Sequence, residues 1–65
     1  MVYYIYIKGN HEGDLKMLER IKNALNTYGC TGRAQGEYIA EDRIRITVNG
    51  EYFGIWDTVR NTFVD

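Results

Sequence analysis

The sequence predicts an α+β fold: one helix packed on one face of a four- to five-stranded, mainly antiparallel sheet, in the order β-α-β-β-β(-β). Three observations carry this. A β-branched and aromatic run, VYYIYIK (2–8), is followed by one amphipathic stretch with helical spacing. RIRITV (43–48) and EYFGIWD (51–57) alternate around Asn49-Gly50, a strong hairpin signal because both central residues of a type I′ turn need positive φ. The chain has 65 residues, enough for one domain, 1–65, and a two-layer packing of helix on sheet.

Each element follows in order. The first strand, 2–8, places Tyr3, Ile5 and Ile7 on one face and Val2, Tyr4 and Tyr6 on the other, and stops at the turn signal Gly9-Asn10. The helix lies within NHEGDLKMLERIKNALNTYG. Asp14 is its expected N-cap, since a carboxylate there accepts from free N–H groups and faces the positive end of the dipole. Leu18, Ile21, Leu25 and Tyr28 recur on one face, widened by Leu15, Met17 and Ala24. Lys16, Glu19, Arg20, Lys22 and Asn23 face water, and Gly29 ends the helix. CTGRAQG (30–36) reads as a loop and EYIA (37–40) as a short strand. Glu41-Asp42 is a tight connection, TVRN (58–61) a turn and TFVD (62–65) a closing strand.

Register decides which side chains share a face. A two-residue loop at 49–50 sets Thr47 opposite Tyr52, Ile46 opposite Phe53, Arg45 opposite Gly54, Ile44 opposite Ile55 and Arg43 opposite Trp56. The helix side then holds Ile44, Ile46, Val48, Phe53 and Ile55, with Ile39 if the 41–42 turn is tight; Glu51 falls on this side at the hairpin tip. The open side holds Arg43, Arg45, Thr47, Tyr52 and Trp56, with Tyr38, and the first strand adds Tyr4 and Tyr6. Such a plane of rings and guanidinium groups would leave a large apolar patch on a monomer, the kind of surface that marks contact sites. The plainest reading is strand propensity alone, because Tyr and Trp favour strands and their polar ends reach water. Self-association or docking on a protein takes precedence over that. Nucleic acid is the third reading, with bases stacked on Tyr or Trp and phosphates held by Arg43 and Arg45.

Composition narrows the choice. Apolar residues make up 45% and aromatics 14%, which places the chain among globular proteins. A domain this small buries only about 60% of the surface its unfolded chain exposes, so it needs a staple. Cys30 is the sole cysteine and His11 the sole histidine, which leaves no internal disulfide and poor metal-ligand spacing. A homo-oligomer, dimer or higher, is the expected remedy. The net charge of −1 argues against strong non-specific DNA binding. VYYIYI is too short for a signal-peptide core or a membrane span, so a reducing cytoplasm is expected, with no membrane partner.

Candidate chemistry is thin. HEGD (11–14) holds an imidazole and two carboxylates, groups that a Mg²⁺-dependent nicking enzyme would use, but a solvated loop ending in a helix cap explains them better. Cys30 follows a helix C-terminus, the wrong end to lower a thiol pKa, and reads as a small buried hydrophobe. GRAQG lacks the spacing and lysine of a phosphate-binding loop. No cofactor is implied, and the expected role is binding without catalysis.

RIRITVNGEYFGIWDTVRNTFVD, with its strand ending in Val48-Asn49-Gly50, aromatic return strand and terminal aromatic-Val-Asp, resembles small phage and mobile-element proteins of the anti-CRISPR type. The tyrosine- and isoleucine-rich first strand and single helix are similar too. The resemblance implies occupation of a CRISPR effector's surface so that target DNA is not engaged; some proteins of this type instead resemble single-strand DNA-binding sheets and act on DNA. It carries no shared catalytic motif. The strongly acidic character of DNA mimics is missing here.

Overall fold

The computed structural model describes residues 1–8 and 15–65. The elements are β1 (Val2–Lys8), α1 (Leu15–Thr27), β2 (Gly32–Ala40), β3 (Arg43–Val48), β4 (Glu51–Asp57) and β5 (Thr62–Phe63). One five-stranded sheet runs β1-β2-β3-β4-β5. β1 and β2 are parallel and joined through α1, as a parallel pair requires a crossover. All later neighbours are antiparallel. The fold is therefore the expected α+β arrangement. The Gly9-Asn10 turn, the HEGD cluster with the Asp14 cap, and the Leu15 side chain lie outside the described residues.

The helix covers one face. Ile21 and Leu25 are fully buried, with Met17, Leu18 and Ala24 packed beside them, so the apolar stripe sits on the sheet as its spacing requires. The helix ends in a Schellman motif: the Cys30 N–H donates to the Leu25 carbonyl and the Gly29 N–H to the Asn26 carbonyl, both at 3.0 Å, with Gly29 left-handed at φ 81°. The Asn26 side chain then turns to β1, where its amide accepts from the Val2 N–H and donates to the Val2 carbonyl. The side chain thus serves Val2 as a neighbouring strand would.

The second strand corrects the sequence reading. It begins at Gly32 and absorbs most of the expected 30–36 loop. Its glycines suggested a loop, but Gly36 is a packing residue. A Cβ there would lie 2.9 Å from Ile44 Cγ2 and 3.1 Å from Ile46 Cδ1, so only glycine lets β2 sit beneath these isoleucines.

Three β-bulges set the faces. In β1 the register steps from Val2–Gly32 to Tyr4–Arg33, leaving Tyr3 over and turning Val2 inward with Ile7. In β2 it steps from Tyr38–Ile44 to Ala40–Arg43, leaving Ile39 over. In β4 it steps from Thr47–Tyr52 to Ile46–Gly54, leaving Phe53 over. Each extra residue reverses the alternation on one side of itself. The core that results joins Val2, Ile7, Ile21, Leu25, Ala34, Ile44, Ile46 and Trp56.

Two expected open-face residues therefore belong to the other side. Trp56 lies opposite Ile44, is 2% exposed, and meets Phe63 edge-on at 5.1 Å between ring centroids. Tyr38 also lies opposite Ile44, and its hydroxyl reaches the Met17 sulfur on α1 at 3.8 Å. In exchange Ile39 is half exposed, and Ile55 pairs with Arg45 instead of Ile44. Around Trp56, the rings of Tyr28, Phe53 and Phe63 form an aromatic cluster with centroids 5.1–6.0 Å apart.

Candidate functional site

The open face of the sheet is built from the residues that alternate with the core. On β1 these are Tyr4, Tyr6 and Lys8, each exposed. The parallel register places Arg33 beside Tyr4, Gln35 beside Tyr6 and Glu37 beside Lys8. β3 continues the rows, with Thr47 opposite Gln35 and Arg45 opposite Glu37. β4 closes them with Tyr52 opposite Thr47 and Ile55 opposite Arg45. Tyr4, Tyr6 and Tyr52 are 50%, 53% and 54% exposed, so each keeps about half its surface in water although it stands on a regular strand.

Of the residues expected here, Tyr4, Tyr6, Arg45 and Tyr52 share this face, and Arg43 stands at its end, opposite Asp57. Tyr38 and Trp56 do not. Sequence reasoning missed Lys8, Arg33 and Gln35. Arg33 and Gln35 were hidden by the loop reading of 30–36. The signal that would have found them is period two: Arg33, Gln35 and Glu37 alternate with Ala34, Gly36 and Tyr38.

The charges on this face are arranged unequally. Arg45 Nη2 stands 3.4 Å from Glu37 Oε1, with both side chains about half exposed, an ion pair worth less than about 1 kcal/mol in water. Arg43 Nε lies 3.3 Å from Asp57 Oδ2 without the alignment of a hydrogen bond. Arg33, among the described residues, has no carboxylate within ion-pair distance. Four of the eight basic residues, Lys8, Arg33, Arg43 and Arg45, stand on this side, against Glu37, Asp57 and Asp65 of the nine acidic ones. Among the described residues these side chains carry four positive and three negative charges, on a chain whose net charge is −1.

Two open depressions follow the β1–β2 side of the face. Tyr6, Lys8, Gln35, Glu37, Arg45 and Thr47 line one of them. The other is lined by Tyr3, Tyr4, Tyr6, Arg33 and Gln35. At the far side, the Tyr52 hydroxyl donates to the Asp65 carboxylate. That bond, with desolvation and the Asp65 charge adding to it and Arg45 opposing, raises the phenol pKa. Tyr52 is therefore tied to Asp65, whereas Tyr4 and Tyr6 have no such tether among the described residues.

Asp57 serves the fold. Its Oδ1 accepts from the Val59 N–H at 2.8 Å and the Arg60 N–H at 2.9 Å, closing the 58–61 turn. The Arg60 bond first, then the Val59 bond and the Arg43 and Arg60 charges, hold its carboxyl below the usual range against the cost of burial. Cys30 is a free, half-buried thiol packed on the core at the end of α1. Among the described residues, no three His, Cys, Asp or Glu side chains gather to hold a metal ion. None of the described helices is long and apolar enough to cross a membrane. The chain matches no protein-family model, and neither a curated protein nor a solved structure is significantly similar to it.

Proposed function

We propose that this chain is a non-enzymatic binding protein, and that the open face of its sheet is the contact surface. The observation that carries the reading is the division of the sheet: the helix buries one face, while the other presents half-exposed tyrosines, Ile39 and Ile55 with cations between them. Tyr and Arg are the residue types that concentrate binding energy at interfaces, because they offer broad contact area at a small entropic cost. Among the described residues, no constellation of acid, base and nucleophile occupies this face. In its most specific form, drawn from the resemblance to small anti-CRISPR proteins, the role is that of a phage or mobile-element inhibitor that keeps a CRISPR effector from engaging its target DNA.

Plasmid interference in cells carrying a CRISPR system tests this. The wild-type chain should restore transformation by a targeted plasmid. Tyr4→Ala with Tyr6→Ala should abolish that effect, and Lys22→Ala on the outer face of α1 should retain it. Equal restoration by the tyrosine variant, or no restoration against any system tried, overturns the reading.

A further inference from the structure

We infer that the occupant of the open face is a single strand of nucleic acid, running along β1 with successive bases on Tyr4 and Tyr6 and its phosphates beside Lys8 and Arg33. The inference rests on the reading of this face as the contact surface and adds what it binds. Tyr4 and Tyr6 are two residues apart on one strand, so their Cα atoms stand about 6.6 Å from each other and their side chains leave the strand at that interval. That is roughly twice the 3.4 Å rise of bases stacked in a duplex strand. The spacing suits bases pulled out of the stack and laid one per ring, and it does not suit a duplex, whose bases stay stacked on one another. Every base has a π-face, so two tyrosines form a platform indifferent to sequence.

Charge supports the same occupant. Lys8 follows Tyr6 by two residues on the same face, and Arg33 stands beside Tyr4 in the next strand. The tyrosine row is thus flanked by a cation at each end. Arg45 is partly neutralised by Glu37, whereas Arg33 has no carboxylate partner among the described residues. Of the carboxylates at this face, Asp57 and Asp65 lie on its β4 side, away from the tyrosine row, and Glu37 stands beside Lys8. Gln35, beside Tyr6 and within both depressions, offers a side-chain amide where a base edge would lie.

Fluorescence anisotropy with a labelled oligothymidylate of roughly 12 nucleotides tests the inference. The wild-type chain should bind at ~50 mM salt and weaken steeply by ~200 mM. Lys8→Ala and Arg33→Ala should each make the log–log salt dependence shallower by about 0.7. Tyr4→Ala and Tyr6→Ala should weaken binding by roughly 5- to 150-fold with the salt slope unchanged, and Tyr4→Phe and Tyr6→Phe should bind as the wild type does. All four positions are exposed, so circular dichroism should show each variant folded. Absence of binding at low salt, equal binding of a duplex, or tyrosine variants that bind like the wild type would overturn it. If the oligonucleotide is ignored while the tyrosine variant still loses plasmid protection, the face binds a protein and only this inference falls.

Discussion

Two asparagines in this chain act as pieces of backbone. Asn49 sits in the hairpin turn at φ 53°, where asparagine tolerates the left-handed region. Its side chain also reaches back to the start of β2: Nδ2 donates to the Thr31 carbonyl at 2.8 Å and Oδ1 accepts from the Arg33 N–H at 3.1 Å. Its own N–H donates to the Arg33 carbonyl at 2.8 Å. The dipeptide Asn49-Gly50 announces the turn, but nothing local announces these bonds, which span 16 to 18 residues. Asn49→Gly separates the two roles, since glycine keeps the turn and loses the amide. It should cost about 1–2 kcal/mol in urea unfolding, the sum of two modest hydrogen bonds, with an unchanged slope. Asp57 supplies a second test. Its carboxyl is depressed in the fold, so its contribution is present above the unfolded pKa near ~3.9 and is lost as pH falls through the folded value. Asp57→Asn should be less stable than the wild type at neutral pH, and the gap should narrow in acid. A gap that stays constant with pH would show that the carboxylate's charge does nothing for the fold.

At the scale of elements, the order and nature of the helix and strands were legible, because each rests on local signals: helical spacing from Leu18 to Leu25, alternation from Arg43 to Val48, the Asn49-Gly50 turn. The faces were legible only in part. Tyr4 and Tyr6 are open as their strand pattern suggests, and Ile44 and Ile46 are buried as the hairpin requires. Bulges broke the pattern elsewhere, and a bulge is a long-range compromise. At Phe53 the extra residue directs a ring toward Tyr28 at the end of α1 and then delivers Trp56 to the core beside Phe63. Strict alternation would have directed Ile55 inward and left the indole in water, so the bulge buries the larger apolar surface. The exchange predicts a structural role for Trp56. Trp56→Ala should cost about 3–5 kcal/mol and unfold much of the population. Trp56→Phe should cost only about 1–2 kcal/mol, because the indole N–H has no partner to lose among the described residues. Thermal melts by circular dichroism would rank the two, and a folded, stable Trp56→Ala chain would put the indole outside the core.

For the whole molecule, the two sides of the sheet carry separate burdens. The helix side holds nearly all the fully buried apolar residues, and a domain of this length has only about 3–10 kcal/mol of net stability. A single large-to-small change there removes a large share of it. The open side contributes little, since its tyrosines remain half in water and its Arg45–Glu37 pair is solvent-screened. Stability and binding are therefore separable by mutation. Tyr4→Ala, Tyr6→Ala and Arg33→Ala should each unfold within about 0.5 kcal/mol of the wild type, whereas Ile44→Ala or Ile46→Ala should cost about 2–5 kcal/mol. Urea titrations of the five variants, run in one buffer, decide the matter. If Tyr4→Ala or Tyr6→Ala destabilises as strongly as Ile46→Ala, the tyrosine face is part of the protein's own core, covered by a second copy of the chain, and its rings are not free to receive a partner of another kind.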